Sequence, residues 1–309
     1  MISASGSRLL WEQLPAHVQR QIELIAGGRV VEAVTQPGGF SPGVAARLRL
    51  ADGGRAFVKA VSPEQNADTP TLHRREAVVA AALPVDVPVP KLLGSFDDGY
   101  WVALVFEDID GRHPVVPWVR HELDAVMAAF EQLAQQLTPC PLDARPAAEG
   151  FAAEFRGWDR IACDLPPDLD PWAAANLDQL RELAAAGLEA LVGDTLVHAD
   201  ARADNLLIDR AGLVHVLDWP WACRGPSWFD SVGLLVNVAL YGGDPEAELA
   251  RLPIVGDVDP AVITGFLSGL AGFFLDRSRL PAGRGLPTVR AFQAAQGAST
   301  LAWLRNRLS

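Results

Sequence analysis

Over roughly the first hundred residues, apolar and polar positions recur mostly at every second place. In VAARLRL (44–50), Leu48 and Leu50 alternate with Arg47 and Arg49, as a half-buried strand requires. Strands are predicted on the same grounds for VVEAVTQ (30–36) and for RAFVKAV (55–61), which follows the turn ADGG. A further pair, PKLLGSF and YWVALVF, is split by Asp97, Asp98 and Gly99. One helix interrupts them. Thr69 is expected at its N-cap and Pro70 at its first helical position, with TLHRREAVVAAAL continuing the helix.

The period changes after the polar, turn-rich EDIDGRHP (107–114). Beyond it the spacing predicts helices over about 118–137, 148–160, 171–190, 227–241, 259–275 and 286–307. The exceptions are NLLID and LVHVLD, two short apolar strands joined by a turn at Arg210 to Gly212. The pattern therefore predicts an α+β chain in two lobes. Residues 1–110 form a small antiparallel-sheet lobe with one helix, and residues 111–309 a larger, mainly helical one.

Half of the 309 residues are hydrophobic, enough to build proper cores, and the formal net charge is -12. That charge argues against nucleic acid or an anionic membrane as a partner, because both need basic surface. The longest apolar run, AVITGFLSGLAGFFL (261–275), is shorter than the ~20 residues of a spanning helix. Its glycines, Gly265, Gly269 and Gly272, are read as close packing of a buried helix. Cys140, Cys163 and Cys223 lie far apart with no C-x-x-C spacing, which predicts reduced thiols rather than a disulfide framework or a zinc site. With no basic n-region and apolar run at the start, a cytoplasmic monomer or homodimer is expected.

The candidate chemistry centres on LVHADARADNLLID (196–209), which sets charged groups beside apolar strands. His198, Asp200 and Asn205 have the His-x-Asp-x-x-x-x-Asn spacing of kinase catalytic loops, where the aspartate takes the proton of an attacking hydroxyl and the asparagine holds a metal. Asp218, at the end of the next apolar strand, is placed to supply a second metal-binding carboxylate. Arg202 offers a guanidinium beside the transferred phosphate, and His198 is read as a buried brace of the loop. Phosphoryl transfer also demands a lysine on the third strand. Lys59 is there, one of only two lysines in the chain. Its partner is expected to be Glu76 on the following helix, with Glu64 as the alternative. In PGGFSPGVAARL (37–48), Gly38, Gly39 and Gly43 permit close backbone approach to phosphates, and Ser41 adds a hydroxyl or amide.

Together these motifs resemble the aminoglycoside phosphotransferase and choline kinase branch of the protein-kinase-like fold. VHADARADN is similar to that family's catalytic loop, VLDWPWA to its metal-aspartate segment, PSWFD to its structural aspartate (Asp230), and GFSPGVAARL to its nucleotide loop. The resemblance implies Asp200 as catalytic base with Arg202 beside it, and Asn205 and Asp218 as magnesium ligands. It also implies Lys59, whose expected partner is Glu76, at the phosphates of ATP or GTP, Ser41, in the loop that Gly39 opens to phosphate, near the β-phosphate, and the backbone of Glu107 and Ile109 on the adenine edge. Two departures stand out: Ala199 replaces the usual glycine after the histidine, and Trp219-Pro220 follows the metal aspartate.

Few residues separate Asp218 from the next helix, and no Ala-Pro-Glu follows, which argues against a protein substrate. A small hydroxylated acceptor is expected instead, an aminoglycoside-type or related antibiotic first. A metabolite such as an amino alcohol or amino sugar, and a nucleotide-binding pseudokinase, are the alternatives. The acidic stretches CDLPPDLDP and GDPEAE, with Trp158, Trp172, Trp219, Trp221 and Trp228, are candidate pocket features for a cationic acceptor.

Overall fold

The computed structural model describes residues 6–309, and the chain divides into two compact units. The first comprises the residues up to Pro114 together with Asp204–Trp221 and Ala282–Val289, and the second Val115–Ala203, Ala222–Pro281 and Arg290–Ser309. The division is not the single cut between residues 110 and 111 that the sequence pattern predicts. The short strand Gly111–Arg112 pairs with Leu206–Asp209, which pairs in turn with Val214–Val216, so this later hairpin packs with the first unit.

In the first unit, β1 (Val30–Thr35), β2 (Val44–Leu50), β3 (Arg55–Val61), β4 (Leu92–Asp97) and β5 (Val102–Phe106) form one antiparallel sheet in the order β1-β2-β3-β5-β4. Strand parity decides what each face carries. Ala46, Leu48, Ala56, Val58, Ala60, Ala103 and Val105 pack into one core cluster with Trp11, Leu14, Val18 and Ile22. Val18 and Ile22 lie one turn apart on α1 (Ala16–Ala26), a helix the alternation did not single out, so the first unit holds two long helices rather than one. The alternate residues Ala45, Arg47, Phe57 and Lys59 line a cavity on the other face.

The second helix, α2 (Thr69–Ala82), buries His73, Glu76 and Val79 at three-residue intervals. Its N-cap position is Asp68, not Thr69, and no N-cap side chain bonds the helix; Asn66 ties down the start instead. The Asn66 Oδ1 accepts from the N–H groups of Asp68 (3.0 Å) and Thr69 (3.1 Å) and from the Thr69 hydroxyl (3.0 Å).

The second unit is mainly helical. Arg120–Gln136, Phe229–Leu240, Pro260–Ser278 and Val289–Arg307 lie close to their predicted spans. The span 171–190 breaks at Asn176 into Pro171–Ala175 and Leu177–Glu189, and 148–160 breaks into shorter turns ending in Gly157–Cys163. Thr195–Val197 and Cys223–Gly225 pair antiparallel, two strands too short to show a period. The glycines of the long apolar run do pack closely. A Cβ on Gly187 would lie 2.3 Å from Gly265 C, one on Gly269 would lie 2.3 Å from the Phe155 ring, and one on Gly272 2.7 Å from Trp158. No helix among the described residues is long and apolar enough to cross a membrane.

Candidate active site

The cavity of the first unit has a volume of about 360 Å³ and gathers most of the predicted nucleotide residues: Gly39, Ser41, Lys59, Glu76, Glu107, Ile109 and Asp218. Lys59 lines it from β3, which is register-paired on both sides, with Ala45 of β2 and Leu104 of β5. Its ammonium donates to Glu76 Oε1 at 2.7 Å and makes a short ion pair with Asp218 Oδ1. Burial alone would pull the Lys59 pKa down, but Asp218 and Glu76 outweigh it and hold the group above its ordinary value. Glu76 also accepts from the Trp219 N–H, which fixes the chain just after Asp218. Glu64 instead accepts from the Tyr100 hydroxyl at 2.8 Å.

Asn205 is 2% exposed, and its carbonyl accepts from the Leu217 N–H at 2.8 Å, which ties the residue before Asp218 to it. Asp218 has φ 63°, a left-handed conformation that costs a non-glycine residue about 1–2 kcal/mol. The glycine-rich loop needs Gly43 in particular. Its φ is 104°, and a Cβ there would lie 2.4 Å from Ala60 O.

At 107–110, Glu107 N–H donates to Lys91 O at 2.9 Å, and Ile109 O accepts from Gly111 N–H (2.9 Å) and from Arg47 (3.1 Å). The buried Asp108 carboxylate anchors this segment through Arg55 (2.6 Å) and Arg47 (3.3 Å). Arg8, Arg47, Asp108, His113 and Asp204 also line the cavity, though no motif singled them out. Arg47 was readable by parity with Lys59 across paired strands. Arg8 was not, because its partners are backbone carbonyls.

Asp200 and Arg202 belong to the second unit. Asp230 holds the loop that carries them, accepting from the N–H groups of His198 (2.7 Å) and Ala199 (2.8 Å). Burial pushes the Asp230 carboxyl above the usual carboxylate range, opposed by His198 and these two backbone bonds. His198 is fully buried and its Nδ1 accepts from the Asp200 N–H at 3.2 Å, the bracing role expected of it. Arg202 Nη1 donates to Asp200 Oδ1 at 2.6 Å, and its guanidinium lies 5.7 Å from the Phe292 ring centroid.

Several candidate pocket features have structural partners. Trp158 and Trp228 are buried in the second unit, and Trp219 is buried in the first with its indole N–H on Val216 O at 3.1 Å. Asp170 and Asp244 cap short helices, and Glu248 pairs with Arg120 and Arg251. Trp221 remains 48% exposed.

The model of a phosphotransferase enzyme family, APH, matches residues 37–262, more than half of the chain. The chain belongs to this phosphotransferase family. Its members' two-lobed, protein-kinase-like α+β fold is shared with solved structures along most of their length. An aminoglycoside-3'-phosphotransferase of type VIII is 26% identical, with a TM-score of 0.53 over 78% of this chain and 93% of that one. The choline kinase LicA from Streptococcus pneumoniae is 13% identical, with a TM-score of 0.62 over 93% of this chain and 98% of that one. Spectinomycin phosphotransferase, solved in complex with AMP, is 11% identical, with a TM-score of 0.61 over 95% and 98% of the two chains. No curated protein sequence matches the chain. This phosphotransferase is thus an enzyme that uses an alcohol group of a small molecule as acceptor.

Proposed function

We propose that this phosphotransferase moves the γ-phosphoryl group of ATP or GTP to a hydroxyl of a small cationic molecule, with an aminoglycoside-type antibiotic as the first substrate class. The observation that carries the reading is the buried Lys59 ammonium, held between Glu76 and Asp218 in a cavity also lined by Gly39 and Ser41. A fixed ammonium beside carboxylates and a glycine-rich loop is the arrangement that positions nucleotide phosphates.

In this reading Lys59 contacts the phosphates, and Glu76 keeps its ammonium aimed at them. Gly39 and Ser41 lie near the β-phosphate. The Glu107 carbonyl and the Ile109 N–H offer the purine edge an acceptor and a donor. Asp218 and Asn205 supply a carboxylate and an amide oxygen, hard donors suited to magnesium, and the described residues hold no cluster of three or more His, Cys, Asp or Glu that would make an all-protein cage. Magnesium, when bound there, neutralises charge on the phosphates. Asp200 orients the acceptor hydroxyl and takes its proton as the new O–P bond forms and the nucleoside diphosphate departs. Arg202 holds the Asp200 carboxylate in place and is the cation beside the transferred group.

The net charge of -12 favours encounter with a polycation, and the aminoglycoside-3'-phosphotransferase shares 26% identity with this chain. The reading makes the protein a cytoplasmic resistance enzyme. A mass-spectrometric screen tests it, with magnesium and ATP or GTP, against aminoglycosides, other antibiotics, choline and amino sugars. One phosphate mass added to an aminoglycoside is expected, with the rate reduced about 10²–10⁴-fold in Asp200→Asn. A product only on choline or an amino sugar would move the enzyme to metabolism, and full activity in Asp200→Asn would remove Asp200 from the mechanism.

A further inference from the structure

One cation at the cavity has no part in the reaction described above. Residues 7–9 run beside the glycine-rich loop: Leu9 N–H donates to Gly43 O at 3.0 Å, Gly43 N–H to Ser7 O at 3.2 Å, and Arg8 and Gly43 form a parallel bridge. From this edge Arg8 reaches across the loop. Its Nε donates to Gln36 O at 3.0 Å, and its two terminal nitrogens make short hydrogen bonds to the carbonyls of Ser41 and Gly38. A Cβ on Gly39 would lie 3.3 Å from Arg8 Nη2, so the guanidinium packs directly on the loop's turn. Ser7 is tied down in turn by its N–H bond to Gly285 O at 2.8 Å.

The charge at this position is unbalanced. Lys59 faces two carboxylates, whereas the hydrogen bonds of Arg8 among the described residues all end on neutral carbonyls. Asp218 acts on Arg8 only through space. A guanidinium does not lose its proton in a protein, and a part-buried cation without a counter-ion is costly. Its planar fork fits two phosphate oxygens at once.

We propose that Arg8 is a phosphate-binding residue of the nucleotide cavity, exchanging its loop carbonyls for oxygens of the polyphosphate tail when nucleotide enters. The ligand class is a nucleoside di- or triphosphate, and the assignment rests on the nucleotide reading of the cavity. The segment carrying Arg8 is thereby part of the nucleotide site, although it lies ahead of the first strand in sequence.

Calorimetric titration of adenosine, AMP, ADP and a non-hydrolysable ATP analogue into the full chain, with magnesium, separates the possibilities. In the unmodified protein affinity should rise along the series. In Arg8→Gln the gain from the added phosphates should fall by about 10- to 100-fold while adenosine binds as before, and Arg8→Lys should lie between. Equal affinities in Arg8→Gln and the unmodified protein would overturn the assignment. Tighter ATP-analogue binding in Arg8→Gln would also overturn it, by making the guanidinium a plug instead of a ligand. Loss of adenosine binding in Arg8→Gln would leave Arg8 a structural tie of the loop and likewise refute it. An unmodified protein that binds neither adenosine nor nucleotide would instead reject the nucleotide reading of the cavity, and Arg8 with it.

Discussion

Among the described residues, two with side chains take the left-handed backbone region, Ala199 at φ 65° and Asp218 at φ 63°. Each costs about 1–2 kcal/mol relative to glycine and persists because its surroundings fix it. For Ala199 the fixing group is Asp230, which accepts from the consecutive N–H groups of His198 and Ala199. Glycine there would remove the Cβ penalty but return about 0.4–1 kcal/mol of unfolded-chain entropy. Ala199→Gly should therefore stabilise the protein by a few tenths to about 1 kcal/mol, read as a small rise in Tm. An unchanged or lower Tm would show that the loop accepts alanine without strain. The departure from the family's usual glycine was legible in sequence, but its location at a positive φ was not, because nothing in a residue's identity reports the torsion its neighbours impose. His73 makes a related point: burial, with Lys59 and Arg8 adding to it against Asp218, drives its pKa down to about 3, so it stays neutral within its helix at working pH.

At the scale of elements, strands were more legible than caps. Period-two alternation located β1 to β3 because one face of the sheet must meet a core. Yet α1, which supplies that core, carries no period-two signal, and its Val18 and Ile22 lie one turn apart instead. Thr69 has the right chemistry for an N-cap, but Asn66 reaches three donors, and only the path of the preceding loop decides between them. The long helix Pro260–Ser278 was predicted with its glycines as packing residues, and a pair of substitutions checks the reason. Gly187→Ala would place a Cβ 2.3 Å from Gly265 C and should destabilise by about 1–3 kcal/mol, overriding the better helix propensity of alanine. Gly233→Ala, in Phe229–Leu240 with nothing within 4 Å of its Cβ, should stabilise by up to about 1 kcal/mol. Chemical denaturation of both variants reads the contrast, and equal effects would deny the close contact.

For the molecule as a whole, each compact unit is assembled from three separate stretches of chain. A chain truncated after Pro114 keeps β1 to β5 but lacks the partner strand of Gly111–Arg112 and the carboxylate that pairs with Lys59. It should show a weaker, broader thermal transition than the intact chain and no nucleotide binding. A truncated chain that binds nucleotide with native affinity would mean that Asp204–Trp221 is dispensable to the cavity. The same wiring sets a timetable for synthesis. Lys59 and Asp218 are separated by 159 positions, and at about 5–20 residues per second the ribosome needs roughly ten to thirty seconds to deliver the second after the first. Through that interval no ligand can lend its binding energy to the emerging sheet. The early strands must hold through Trp11, Leu14, Val18 and Ile22 against the sheet, all encoded well ahead of Asp218, the carboxylate that completes the pair on Lys59.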